Sequence, residues 1–149
     1  MKRLVIGCIA VGLLASASML TAEEKKEDPL KGIKCVVSGK DINPDATAEY
    51  KDGKVYFCCE GCPKAFEKNT KKFAAKANLQ LVATKQYKQT KCPLSGKGAK
   101  DSVTVKVGTV KVGLCCKGCE KAAGKKKDDE LVAFLFNDDS FKKGFAATK

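Results

Sequence analysis

The sequence predicts a mixed α+β protein made of two tandem small modules, each with a cysteine turn, a β-hairpin and a short helix. The main observation is a set of cysteines that recurs, without a gap, at a constant offset of 57 residues. The recurring set is Cys35, Cys58, Cys59 and Cys62, matched by Cys92, Cys115, Cys116 and Cys119. Residues 34–62 and 91–119 are identical at 12 of 29 positions. Such self-similarity indicates two copies of one supersecondary unit.

The first module begins with a turn and a hairpin. Cys35 opens a tight turn in which Gly39 tolerates the backbone angles that such turns need. Two β-prone runs, 47–50 and 54–57, flank Lys51-Asp52-Gly53. An Asp-Gly pair between such runs is a strong hairpin signal.

Helices and a closing strand are predicted to follow. Pro63 suits the first turn of a helix. Phe57, Phe66 and Phe73 are expected in the core. A second short helix is predicted over 70–77, and a strand over 79–83.

The second module is predicted to repeat this plan. Residues 103–107 and 110–114 form its hairpin, and a helix begins over 119–123. An apolar strand over 131–136 and a helical turn near 140–145 end it. Asp138 and Asp139 are expected to cap this last helix. The run Lys125-Lys126-Lys127 is expected to form a solvated loop.

The N-terminal segment has the pattern of a signal peptide. Lys2 and Arg3 precede an apolar run over 4–20. Small residues at 15–17 suit a signal peptidase, and a second possible cleavage site follows Ala22. The run is shorter than the roughly 20 residues that span a bilayer. The sequence therefore predicts a signal peptide over 1–22 and an exported protein, periplasmic or secreted, with no stable membrane span after cleavage. A linker over 23–31, module one over 32–90 and module two over 91–149 complete the predicted organisation.

Composition excludes several function classes. The chain has no His, which removes Ser-His-Asp and Cys-His catalysis and imidazole ligands. We therefore expect that the protein is not an enzyme. The formal net charge is +12, yet Arg3 is the only arginine. Scattered lysines without arginine forks favour solubility and weak attraction to anionic surfaces over nucleic-acid binding.

Module one carries a combined pattern of sulfur and aromatic residues. It consists of Cys35-x-x-Ser-Gly-Lys, Tyr50, Tyr56-Phe57-Cys58-Cys59-Glu60-Gly61-Cys62, Phe66 and Phe73. This pattern resembles the YHS/TRASH family of small metal-binding domains, with Cys59 as an extra thiol where that family usually has serine. Module two matches through Cys92, Cys115 and Cys119, but Gly113 and Ala123 replace the tyrosine and the helix phenylalanine. The resemblance implies treble-clef or zinc-ribbon-like modules that sense, carry or resist heavy metals.

The cysteines are the predicted metal ligands, with one ion in each module and up to two per chain. A module of this size has a core worth only about 3–5 kcal/mol and usually needs a metal or disulfide staple. Four thiolates would close a tetrahedral Zn²⁺ shell. Neighbours in a strand point to opposite faces, so Cys58 and Cys59 reach one ion only if the strand ends before them. Otherwise three thiolates remain, which suits Cu(I) or a zinc site awaiting a further ligand.

Three other interpretations stay open at this stage. The eight thiols that remain after cleavage could form four disulfides, since an exported protein meets an oxidising compartment. A metal- or disulfide-stapled module could serve protein contacts instead of metal handling. The spacing Cys59-x-x-Cys62 also occurs in thiol–disulfide redox proteins. The favoured prediction is an exported protein that buffers, carries or senses Zn²⁺ or Cu(I), with a metal transporter or another envelope protein as partner.

Overall fold

The computed structural model describes residues 30–148, which form a mixed α+β fold with five helices and six strands. In chain order the elements are β1 (Asn43–Tyr50), β2 (Gly53–Phe57), α1 (Gly61–Lys68), α2 (Thr70–Ala83), β3 (Tyr87–Gln89), β4 (Lys100–Val107), β5 (Val110–Leu114), α3 (Lys117–Gly124), α4 (Asp128–Phe136), α5 (Asp138–Gly144) and β6 (Phe145–Ala147). The predicted signal peptide and most of the predicted linker lie outside the described residues. Within 30–148 no helix is both long and apolar enough to cross a membrane.

Both predicted hairpins are confirmed. β1 pairs antiparallel with β2, and β4 pairs in the same way with β5. Because Tyr50 pairs with Gly53, the centre of the first turn is Lys51-Asp52 and not the predicted Asp-Gly pair. Lys51 itself takes the left-handed conformation, with φ at 54°, and Gly108 takes it at the matching place in module two.

Two predicted strands are wrong. Residues 79–83 continue α2, and residues 131–136 lie in α4. Short apolar runs do not distinguish buried strands from buried helices. The spacing of the buried residues Ala74, Ala77, Asn78 and Leu81 in α2 is helical. The strand that follows α2 is instead β3.

The end of the chain also differs in detail from the prediction. The predicted helical turn near 140–145 is α5, which begins earlier, at Asp138. Its N-cap is Asn137, whose side chain accepts a hydrogen bond from the Ser140 N–H at 2.9 Å. The predicted caps Asp138 and Asp139 lie in the first helical turn, where negative charge is favourable. The lysine run 125–127 is exposed and lies between α3 and α4, as predicted.

The two modules share one hydrophobic core. β3 of the first module pairs antiparallel with β6 of the second, and α2 packs against α4. Fully buried large side chains come from both modules: Phe57, Phe66 and Leu81 from the first, and Leu114, Leu135 and Phe136 from the second. Phe73, also predicted in the core, lies half-buried beside Phe66. A joint core buries a larger share of its surface than either module could alone, so the size argument for a metal or disulfide staple applies less strongly to this chain than to an isolated module.

A polar network crosses the junction between the modules. Lys51 Nζ donates to Asn78 Oδ1 at 2.7 Å and to Asp138 Oδ1 at 2.9 Å. Asn78 Nδ2 donates in turn to the Phe136 carbonyl at 2.8 Å. The hydrogen bond from Lys51 lowers the pKa of Asp138. The network ties the first hairpin turn to α2 and to the start of α5.

Replacing Asp138 by Asn is expected to lower the free energy of unfolding near neutral pH by about 1 kcal/mol or less, since half of the Asp138 side chain is exposed. A carboxyl whose pKa is lowered by folding stabilises the native state above its unfolded pKa, and this contribution is lost as the pH falls through the folded value. The gap between the wild type and Asp138→Asn should therefore shrink below about pH 4. Urea denaturation at several pH values tests this, with Asp45→Asn as an exposed control. A gap that is independent of pH would contradict the prediction.

Candidate metal centres

The first cysteine of each module lies on the same tight turn. The Cys35 N–H donates to the Lys40 carbonyl at 2.8 Å, and the Gly39 N–H donates to the Cys35 carbonyl at 2.8 Å. Cys92 and Gly96 repeat this arrangement with bonds of the same lengths. Gly39 and Gly96 both have a φ of 71°, which disfavours any residue with a Cβ there. The turn holds the backbone of the buried cysteine in a fixed direction.

The remaining cysteines follow the hairpin, at the point where its second strand ends. β2 ends at Phe57, so Cys58 and Cys59 lie in irregular backbone and need not face opposite sides. Their Sγ atoms are 3.8 Å apart. Cys62, in the first turn of α1, has its Sγ 3.5 Å from that of Cys58 and 3.4 Å from that of Cys59. The condition under which both neighbours can reach one ion is therefore met in module one.

Each module brings three thiols into one cluster that could hold a metal ion. The Sγ atoms of Cys35, Cys58 and Cys62 lie within 4.8 Å of one another. Those of Cys92, Cys115 and Cys119 do the same. We call these the first and the second cluster.

The fourth predicted ligand of each module lies beside its cluster. Cys59 is exposed and contacts Cys58 and Cys62 of the first cluster. Cys116 is also exposed, with its Sγ 3.7 Å from that of Cys115. All eight cysteines in the described part of the chain are free thiols.

A serine accompanies each cluster. Ser38 Oγ lies 3.2 Å from Cys58 Sγ, and Ser95 Oγ lies 3.1 Å from Cys115 Sγ. Neither serine was among the predicted site residues. Their identity in both copies of the repeat was the available signal.

The environment divides the thiols into two kinds. Burial raises the pKa of Cys35, but hydrogen bonds from the Ser38 side chain and backbone outweigh it and lower the pKa to about 7. Cys92 behaves in the same way beside Ser95, again with a pKa of about 7. Burial raises the pKa of Cys119 to about 12. Each metal-free cluster therefore contains one thiol with a lowered pKa and one with a raised pKa. The difference matters because the thiolate is the form that binds metals and acts as a nucleophile.

The exposed cysteines have lowered pKa values. A hydrogen bond from the Cys62 side chain is the main cause of the lowered pKa of Cys59. The backbone N–H of Cys119 has the main part in lowering the pKa of Cys116. Burial and the neighbouring thiols raise the pKa of Cys62 well above its ordinary range.

Brief alkylation of the reduced, metal-free protein near neutral pH should therefore modify Cys59 and Cys116 before Cys62 and Cys119. The thiolate is the reactive form of cysteine, and a lowered pKa increases its fraction near neutral pH. Exposure also gives the reagent access to Cys59 and Cys116. Peptide mass spectrometry after a short iodoacetamide pulse measures the order, and a urea-unfolded sample in which all thiols react alike is the control. Modification of Cys62 ahead of Cys59 would contradict the prediction.

Comparison with known proteins gives no relative of this chain. No protein-family model matches it, and neither a curated protein nor a solved structure shows detectable similarity. The resemblance to the YHS/TRASH family stays a prediction. What the molecule does has to be inferred from the two clusters themselves.

Proposed function

We propose that this protein binds one soft or borderline metal ion in each module and buffers, carries or senses that metal outside the cytoplasm. One observation supports this most strongly: three Sγ atoms lie within 4.8 Å of one another, and the arrangement occurs twice. Thiolates are ligands for Zn²⁺ and Cu(I) and poor ligands for Mg²⁺ or Ca²⁺. The chain has no His, and in the described part of the chain both groups that could hold an ion consist of cysteines.

Zn²⁺ is the first proposed ion. With Zn–S bonds of about 2.3 Å, two sulfurs of a tetrahedral shell lie about 3.8 Å apart. The Sγ pairs among Cys58, Cys59 and Cys62 are 3.4–3.8 Å apart, close to that separation. Cys59 would be the fourth ligand of the first cluster and Cys116 that of the second. If these two stay outside, a three-thiolate site for Cu(I) is the alternative.

The order of the elements supports the same class of protein. A cysteine turn, a hairpin and a helix that carries the last cysteine follow one another in each module. This is the order expected of treble-clef modules and of the YHS/TRASH resemblance. Under this proposal the protein is not an enzyme.

The shared core favours a metal ion that the protein carries (a cargo ion) over a metal ion whose only role is to stabilise the fold (a staple). Large apolar side chains of both modules are fully buried together, so the chain has a source of stability apart from metal binding. Because Cys59 and Cys116 are exposed, a thiolate of another protein can reach the outer side, or rim, of each cluster. Ligand exchange at such a rim suits transfer to a partner, which we propose is a metal transporter or another envelope protein.

Native mass spectrometry of the reduced protein tests this function. After incubation with Zn²⁺ or Cu(I) we expect two ions per chain, and fewer than one ion per chain would overturn the proposal. Far-UV circular dichroism after chelation separates cargo from staple. Retained secondary structure is expected for cargo, whereas complete unfolding would show that the metal only holds the fold together.

A further inference from the structure

Within residues 30–148 each hairpin is a two-stranded sheet, so the outer edge of its second strand has no strand beside it. In the described part of the chain β2 pairs only with β1, and β5 pairs only with β4. Backbone N–H and C=O groups along such edges need other partners when they are not in water. Along β2 and β5, the side-chain amides of three glutamines are such partners.

Gln80 is the partner at the first cluster. Its Oε1 accepts from the Tyr56 N–H at 2.7 Å, and its Nε2 donates to the Tyr56 carbonyl at 2.9 Å. The same Nε2 donates to the Lys34 carbonyl at 3.1 Å. Tyr56 lies two residues before Cys58, and Lys34 directly precedes Cys35. Gln80 thus joins the two chain segments that carry the cysteines of the first cluster.

Gln89 repeats the pattern at the second cluster. Its Oε1 accepts from the Gly113 N–H at 2.8 Å, and its Nε2 donates to the Gly113 carbonyl at 2.6 Å. Its Nε2 also donates to the Lys91 carbonyl at 2.9 Å. Gly113 and Lys91 are the repeat counterparts of Tyr56 and Lys34. The same three bonds therefore join the two halves of each cluster.

These two glutamines are not related by the sequence repeat. Gln80 lies in α2 and Gln89 in β3, and the offset of 57 residues matches Gln80 with Asn137, which caps α5. Two different elements thus bring an amide to equivalent places beside the clusters. This points to a requirement of the site, since duplication of the module does not account for it.

We propose that Gln80 and Gln89 are positioning residues that set the separation between the first cysteine and the other cysteines of their own clusters. The inference rests on the proposed metal binding. A site whose ligand-bearing segments are held in place loses less conformational freedom when it binds an ion. Groups that hydrogen-bond directly to metal ligands typically contribute about 10–100-fold to metal affinity. Gln80 and Gln89 act on the backbone beside the ligands, so we expect an effect at the lower end of this range.

Gln86 offers a matched control. It bonds in the same two-fold manner to the N–H and the carbonyl of Lys54, both at 2.7 Å, on the same edge of β2. Its remaining bond goes to Thr84 Oγ1, not to a residue beside a cysteine. Gln86→Met therefore removes an edge amide of the same kind without loosening a cluster.

The experiment measures Zn²⁺ affinity of the full chain by competition with a chromophoric chelator. Gln80→Met, Gln89→Met and Gln86→Met are each combined with Cys92→Ser/Cys119→Ser, which isolates the first site, or with Cys35→Ser/Cys62→Ser, which isolates the second. Gln80→Met should weaken the first site about 10-fold or more and leave the second nearly unchanged, and Gln89→Met should do the reverse. Gln86→Met should change neither affinity. Melting of the metal-free variants reports stability separately from affinity.

Equal weakening of both sites by one glutamine variant, or no weakening of its own site, would overturn the inference. If Gln80→Met does not fold, the half-buried Gln89 decides alone by the same criterion. If the wild-type chain binds two Zn²⁺ ions and the glutamine variants bind them with unchanged affinity, this inference fails but the proposed function is not affected. A wild-type chain that binds none overturns both.

Discussion

Replacing Cys35 and Cys62 together by Ser should remove one of the two metal ions from the reduced, zinc-loaded protein and leave the other bound. These two cysteines come from the turn and from the start of α1, so the double change takes sulfur from both halves of the first cluster. A serine hydroxyl does not replace a thiolate as a ligand for soft or borderline ions. Native mass spectrometry counts the ions directly.

Matched variants complete this test. Cys92→Ser/Cys119→Ser should remove the other ion, and the fourfold variant should bind none. Cys59→Ser then separates the two coordination modes. Nearly normal loading indicates a three-thiolate site, and loss of the ion indicates a closed four-thiolate site. Two bound ions in either double variant would mean that the clusters are not the binding sites.

Replacing Phe136 by Ala should lower the free energy of unfolding by about 3–5 kcal/mol, the usual cost of removing a buried phenylalanine ring. Phe136 is fully buried, and its ring stacks on that of Phe145 with centroids 5.2 Å apart. Because the core is shared, the loss should reach module one as well, and both hairpins should unfold in one transition.

Urea denaturation of the metal-free protein gives the change in free energy, and hydrogen exchange of β2 and β5 shows whether the modules unfold together. Lys127→Ala, at an exposed position, is the control and should change stability by about 0.5 kcal/mol or less. Protection of β2 that survives the unfolding of β5 would contradict the shared core.

Local sequence signals predicted much of this structure. Both hairpins, the two cysteine turns and the starts of α1 and α3 follow from residues that are close in sequence, such as Gly39 and Pro63. The repeat of the cysteines also predicted that the four thiols of each module lie together, and three of the four form a cluster in each module. The apolar ends of α2 and α4 were predicted as strands because a short hydrophobic run has no period that decides between the two.

Contacts between residues that are far apart along the chain could not be predicted from a single sequence. Nothing near β3 or β6 indicates that they pair, since each is three residues long and its partner belongs to the other module. The glutamines beside the clusters were missed for a similar reason. Gln80 and Gln89 act on backbone groups 24 residues away, and the sequence repeat relates neither to the other.

The pairing of β3 with β6 has a consequence for the order in which the molecule can be completed during synthesis. β3 emerges from the ribosome before all of module two, and its partner emerges only after nearly all of module two. Until β6 has emerged, one edge of β3 stays without its partner strand, and until α4 has emerged, the face of α2 that α4 covers stays without a partner. Long-range closures of this kind are slow steps in folding. Module one thus cannot reach its final packing ahead of module two, which suits a chain proposed to cross a membrane before it folds.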